Sequence, residues 1–284
     1  MKRVNRRILS LLAIGVLVMA LFVSVVSAAD QIILDWEQDA GGAPLTSGQV
    51  IDDEYHSATG ISVTVQVASA SGVAAIFPSD APTAADLDLG TPNETCGGLG
   101  VGVGGEVGQV GENCMAHNNV LIMPTIGDGN GDGFIDGAPN DDAGGGTVTF
   151  IFSEPVTVDF IEVLDQESQE NLTIETYGDV AGTNLLDTQN PSGYGDNSYE
   201  NIPIQVGGAR RIDFDFMGSG AIASIAFTPQ DPTAVTLSSV DASAIAPTGI
   251  LVVAALLALA TATSVWVIRS RAVTVAVNNP PSED

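Results

Sequence analysis

The chain has 284 residues and a formal net charge of −27, from 35 acidic side chains against 8 basic ones. Phosphate binding needs clustered Lys and Arg, so this balance excludes a nucleic-acid partner and argues against docking on anionic lipid. Two cysteines, with neither of the two histidines at motif spacing, also argue against a zinc site.

Lys2, Arg3, Arg6 and Arg7 open the chain, ahead of an apolar run over residues 8–26 and the small residues Ser27, Ala28 and Ala29. This is the layout of a secretory signal peptide, predicted over residues 1–29 with cleavage after Ala28 or Ala29. An uncleaved anchor helix is the alternative, because the apolar run is long for a signal. Residues 30–230 then read as one acidic domain. Only Arg210 and Arg211 are basic between residues 30 and 248, against 33 acids, which gives this stretch a net charge of −31. A compact body with that charge repels itself and calls for screening by salt, neutralisation by divalent cations, or both.

The domain's signals are of strand type. Ile32-Ile-Leu-Asp-Trp36 is short and apolar, and Ile61-Ser-Val-Thr-Val-Gln-Val67 alternates strictly. Further strands are predicted over residues 73–77, 120–123, 147–152, 156–160, 172–177, 212–216 and 222–227, all rich in β-branched and aromatic residues and bounded by Gly, Pro, Asn and Asp. No long stretch has helical period. Many short strands with turn signals predict an all-β domain, a jelly-roll-like sandwich of two sheets.

Two long irregular segments interrupt the strands. The first, residues 78–118, contains the run Gly97-Gly-Leu-Gly-Val-Gly-Val-Gly-Gly105. Its spacings resemble a phosphate loop, but no Gly-Lys-Ser/Thr ending and no βα pattern accompany them, so a flexible loop is expected. Cys96 and Cys114 flank most of it and, in an exported chain, are expected to form a disulfide worth about 3 kcal/mol. Asp86 and Asp88 form an acidic cluster earlier in the same segment and are a second candidate metal site beside the plain alternative of a capped surface turn.

The second segment is Asp128-Gly-Asn-Gly-Asp132-Gly-Phe-Ile-Asp136 and the residues after it. Glycine is too free, and repeated aspartates too repulsive, for this run to be helix or strand. Asp128, Asn130, Asp132, Gly133 and Asp136 fall at positions 1, 3, 5, 6 and 9 of an EF-hand-type loop, with Phe134 offering its carbonyl at position 7 and Ile135 apolar at position 8. The loop is therefore expected to hold Ca²⁺ through oxygen ligands. Position 12, where a bidentate Glu belongs, is Pro139, and no flanking helices are evident, so Asp141 or Asp142 would have to supply the missing carboxylate. The plain alternative is a solvated acidic turn.

Asp213 and Asp215 alternate with core residues and project from one sheet face, as Asp35 and Glu37 do near the first strand; a solvated face is the commoner meaning of such pairs. For catalysis, His56 sits in an acidic turn and His117 beside the glycine-rich run, and no Gly-x-Ser-x-Gly is present. No nucleophile–base pair stands out, and the chain is read as a non-enzyme. A paired-carboxylate glycosidase is the competing reading, weakened because so many carboxylates allow any pair to be chosen.

Beyond the domain, residues 231–248 read as a Ser/Thr/Pro-containing stalk. Residues 249–268 are an uncharged run long enough to cross a bilayer, with Pro247 before it, Trp266 near its exit, and Arg269 and Arg271 after it. The basic flank predicts a cytoplasmic tail over residues 269–284 and an extracellular domain, a single-pass arrangement in the cell membrane.

The order of landmarks resembles exported bacterial β-sandwich proteins of the choice-of-anchor type. The residues that carry this are Gly48-Gln-Val-Ile51 with Tyr55 and Gly60, Ile76-Phe-Pro-Ser79, Asp86-Leu-Asp-Leu-Gly-Thr-Pro92, Asn119-Val-Leu-Ile122, Asp141-Asp142 before Gly144-Gly-Gly-Thr147, and Gly218-Ser-Gly-Ala221. The similarity covers most of residues 31–229. The end of the chain departs from known sorting tags, with neither Pro-Glu-Pro nor Leu-Pro-x-Thr-Gly. Such domains look like surface or matrix proteins, some akin to carbohydrate-binding sandwiches, so the resemblance implies a location and a fold and names no ligand. The expectation is thus a calcium-stabilised surface domain with an adhesive, extracellular-matrix or carbohydrate-binding role. Its partners would be the membrane, extracellular polysaccharide or neighbouring surface proteins. A surface polysaccharide hydrolase and a purely structural envelope component are the alternatives.

Overall fold

The structure, a computed structural model, describes residues 29–57, 60–83, 86–167 and 171–230. The predicted signal peptide (all but Ala29), stalk, transmembrane helix and tail lie outside the described residues. Nine strands form one antiparallel hydrogen-bonded sheet: β1 (Ile32–Leu34), β2 (Val63–Ser69), β3 (Ala75–Pro78), β4 (Asn119–Ile122), β5 (Gly146–Leu164), β6 (Leu172–Tyr177), β7 (Leu185–Gln189), β8 (Tyr199–Phe216) and β9 (Ala221–Pro229). The remaining regular element among the described residues is a 3₁₀ turn, Glu94–Cys96.

The all-β expectation holds. The two expected sheets, however, are joined. β5 and β8 are long strands that pair along most of their length, and their register slips between Ile151 and Val156, around Pro155. Pro155 has no amide proton to give to the ladder, so pairing breaks there and the strand bends. The first half of β5 pairs with β2 and with the end of β8, which in turn pairs with β6; its second half pairs with β9 and with the start of β8. One sheet thereby makes two layers, consistent with a β-sandwich, through strands that change layer at a bulge.

The layers close on each other through alternation. Val148, Phe150 and Phe152 of β5, Ile212, Phe214 and Phe216 of β8, and Leu172 and Ile174 of β6 point inward. They meet Ile225 and Phe227 of β9 and Trp36 after β1, with ring centroids 5.0 Å apart for Phe152–Phe227 and 5.9 Å for Trp36–Phe150. Burying each such ring contributes about 1.5–3 kcal/mol.

β9 is buried on both faces. Its second face carries a smaller cluster, Phe77, Leu89, Val120, Ile122, Leu164, Ala221 and Ala223. Leu89 belongs to the long segment between β3 and β4, so that segment roofs a second core rather than looping into solvent.

Candidate functional site

The predicted calcium loop is tied to the body through its C-terminal half. Ile135 is buried and donates its amide to Gly48 O at 2.9 Å, while Gly133 O accepts from Val50 N. Leading into these ties the chain turns on Gly131 and Gly133, at φ +75° and +86°, a conformation glycine adopts freely. The turn wraps amides around carboxylates. Asp128 Oδ1 accepts from Gly131 N at 2.7 Å and Asp132 N at 3.2 Å, and its Oδ2 from Gly133 N at 2.9 Å. The Gly133, Gly131 and Asp132 amides hold the Asp128 carboxyl below the usual carboxylate range. Asp132 Oδ1 accepts from Phe134 N, and Asp136 accepts from Gly129 N and from the Asn130 side chain, both at 2.8 Å. All the donors offered are hard oxygens, which suits Ca²⁺.

Asp141 and Asp142 are engaged elsewhere. Asp142 Oδ1 accepts from Gly144 N at 2.9 Å. Asp141 Oδ2 accepts from Gly220 N at 2.7 Å, and the Asp141 amide donates to Asp86 Oδ2 at 3.0 Å. Asp141 therefore links the two predicted acidic groups. Burial, a hydrogen bond with Asp88 and the charge of Asp141 push Asp86 up to about 8. Asp165, also buried, is raised well above its ordinary value by desolvation and by the charge of Asp88. Among the described residues, the acidic side chains with three ligand atoms within 4.8 Å of one another are Asp52, Asp53 and Glu54, outside the predicted set. Glu54 and Asp52 there accept amides of their own turn.

The Cys96–Cys114 disulfide forms, with a Cα–Cα distance of 5.3 Å. The glycine-rich run it encloses is not the flexible loop expected. Asn93, Asn113 and Asn197 are fully buried and bind it to the sheet. Asn197 donates to Asp88 O at 2.6 Å and to Gly90 O at 2.7 Å, and accepts from Asn93 Nδ2 at 2.7 Å. Asn93 Nδ2 also donates to Gly102 O, and the Asn197 amide donates to Asp165. Glycine is required here by close approach: a Cβ on Gly98 would stand 1.9 Å from Pro92 O, and one on Gly100 2.0 Å from Gly90 O.

A third feature covers the outer face of the β2–β5–β8–β6 layer. Strand register sets Gln66, Thr149, Asp213 and Glu175 in one row across it, flanked by Thr147 and Asp215 on one side and by Arg211 and Tyr177 on the other. All of these but Tyr177 line a shallow hollow of about 430 Å³. Arg211 Nε and Nη2 each meet Asp213 at 2.7 Å, a two-pronged pair. The guanidinium also lies 5.7 Å from the centre of the Tyr177 ring. Thr149 donates to Asp213 at 2.8 Å, Thr147 to Asp215 at 3.1 Å, and Tyr177 to Glu175 at 2.6 Å. The Glu175 bond, then burial, pushes the Tyr177 phenol up to about 12. The face is an array of hydroxyl, amide, carboxylate and guanidinium groups that can both donate and accept hydrogen bonds.

Sequence reasoning placed Asp213 and Asp215 on one sheet face but missed Arg211, Glu175, Tyr177, Thr149 and Gln66 as their neighbours. The available signal was the rarity of cations: one of two arginines in the acidic domain stands at period two with both aspartates. Asp165 gave no signal, because it reaches the acidic group through the fold.

The chain matches no protein-family model and no curated protein. Similar solved structures include a truncated AlyQ with CBM32 and alginate lyase domains, at 18% identity and TM-score 0.24, covering 32% of this chain and 26% of that one. Two others are CpGH89CBM32-4 from Clostridium perfringens in complex with GlcNAc-α-1,4-galactose, and CpGH89CBM32-6 from the same organism. The first has 19% identity, TM-score 0.21 and coverage of 31% and 70%; the second 15%, 0.21, and 33% and 74%. The alignment spans about a quarter of the AlyQ chain.

Proposed function

We propose that this chain is a surface-displayed, jelly-roll-type sandwich that binds carbohydrate without turning it over. In this reading a C-terminal helix anchors it in the cell membrane and calcium steadies its acidic loops. The observation that carries the binding role is the ordered polar hollow on the outer sheet face. Its side chains already hold one another in place, so a polyhydroxylated ligand would be met without a large loss of side-chain freedom. Extracellular polysaccharide is the partner this implies, and an adhesive or matrix role follows from holding such a polymer at the membrane.

Calcium enters through the chemistry of the acidic groups. Asp128, Asn130, Asp132, Asp136 and the Phe134 carbonyl would hold one ion, and Asp86 and Asp88, with Asp141 beside them, a second. A bound divalent cation would neutralise carboxylates that now repel one another.

The test is a glycan panel read by calorimetry on the full chain in detergent. Binding without product is expected, weakened at least tenfold by Arg211→Met, which removes the pair that holds Asp213 and floors the hollow. Turnover of any glycan, or binding indifferent to Arg211, would sink the reading. For calcium, a fall in melting temperature on chelation at fixed ionic strength is expected, and an unchanged value counts against it.

A further inference from the structure

We infer that the sheet-face hollow selects glycans free of acidic groups and rejects uronate polymers, an inference that rests on the carbohydrate-binding reading. An arginine in a sugar site ordinarily invites a carboxylate, because its planar fork fits one with two parallel bonds. Here that fork is already closed. Nε and Nη2 of Arg211 are both occupied by Asp213 at 2.7 Å, and Nη1 faces Val180 O at 3.4 Å. Asp213 is held in turn by Thr149. The guanidinium side chain is 25% exposed and that of Asp213 12%, so the pair forms the floor of the hollow rather than a free hand reaching into it.

The charges at the rim point the same way. Asp215 and Glu175 each spend one oxygen on a neighbour, Thr147 and Tyr177 respectively, and each keeps its second oxygen for a ligand hydroxyl. The lining thus sets Arg211 against Asp213, Asp215 and Glu175, one positive against three negative. A ligand carboxylate entering there meets like charge at a few ångströms with no cation left to receive it. A sugar hydroxyl meets acceptors at Asp215 and Glu175 and both a donor and an acceptor at Gln66, whose amide is exposed.

The experiment measures affinity of the full chain for matched pairs of hexasaccharides at low salt and one fixed calcium concentration. The probes are hexamers of β-1,4-glucose, α-1,4-glucose, β-1,4-mannose and β-1,4-N-acetylglucosamine, with the C6-oxidised uronate counterpart of each of the three unsubstituted sugars. At least one neutral hexamer is expected to bind, with its uronate form about tenfold weaker or more, where N-acetylglucosamine is not the only sugar bound. Two variants make the cause visible. Asp213→Asn removes one arm of the pair, frees Nη2 and is expected to close the gap or reverse it. Glu175→Gln with Asp215→Asn, isosteric changes at a half-buried and an exposed position, is expected to narrow the gap severalfold. A uronate hexamer that binds the wild-type chain as tightly as its neutral partner, or a gap unchanged in both variants, overturns the selectivity while leaving sugar binding intact. Absence of binding to every hexamer instead removes the carbohydrate reading on which it rests. Binding to N-acetylglucosamine alone is decided by a further pair, its hexamer against an alternating glucuronate–N-acetylglucosamine hexamer, on the same criteria.

Discussion

Replacing Asn197 tests how the glycine-rich segment is held. Asn197 is fully buried and sits at φ +61°. Its side chain makes three hydrogen bonds, to Asp88 O, to Gly90 O and from Asn93. Asn197→Ala removes all three, at about 1 kcal/mol net each. It also forces a Cβ residue without Asn's local compensation into the left-handed region, at roughly 1 kcal/mol more. The expected loss is about 4 kcal/mol, large against the 5–15 kcal/mol that holds a typical domain. Asn197→Gly loses the same three bonds but meets no backbone penalty. After allowing for glycine's greater freedom in the unfolded chain, about 0.4–1 kcal/mol, it is expected to be the milder change by up to about 0.6 kcal/mol. Urea unfolding of both variants at one calcium concentration reads these differences. If Ala proves the more stable replacement, or if both cost under about 1 kcal/mol, the account of a buried asparagine clamp fails.

Two further outcomes are expected. Gly100→Ala places a Cβ 2.0 Å from Gly90 O and should cost about 3 kcal/mol or more, whereas Gly108→Ala, at φ +83° with nothing within 4 Å, should cost only about 1 kcal/mol, both read as shifts in urea midpoint. In chelator, stability is expected to fall as pH rises towards 8, because Asp86 keeps its proton in the fold up to about 8 and in the unfolded chain only to about 3.9. The stabilising contribution is complete below the unfolded value and lost as pH passes the folded one. Four pH units would amount to about 5 kcal/mol at 1.36 per unit, and relaxation and solvent reduce this to the order of 2 kcal/mol. Asp86→Asn should flatten that fall. Comparison of the two proteins cancels His117, whose lowered value acts in the opposite direction below its ordinary range. A wild-type profile no steeper than the variant's counts against the buried acid group.

Strands with unbroken alternation were legible in the sequence. β2, β6 and the end of β8 stand where the pattern put them, because one buried face imposes period two, while β9, buried on both faces, was legible as a short apolar run before Pro229. What the pattern hid was continuity. The predicted strands on either side of Pro155 are one bent strand, and most of β8 went unseen because Pro203 and the bulged stretch at Gln205 and Gly208, both at positive φ, interrupt its period. β7 escaped because Leu185 and Leu186 are exposed and no buried alternation marks this edge strand. The acidic loop could be read locally, since its ligands are neighbours in sequence. The Asp86–Asp141–Asp165 grouping and the polar hollow could not, as both are assembled by strand pairing between distant segments.

The segment between the two cysteines would be masked as low complexity by any compositional filter and chosen first as a place to insert a tag or a protease site. Its backbone lies so close to its neighbours that substitutions there would be read out as misfolding, while Leu99, Val103, Val107 and Val110 on its outer side stand 57%, 69%, 59% and 82% exposed. A mutational scan of this stretch should therefore come out striped: Gly98, Gly100, Gly102 and Gly105 intolerant, Gly97 and Gly108 much less so, and the exposed valines free to vary in everything but charge.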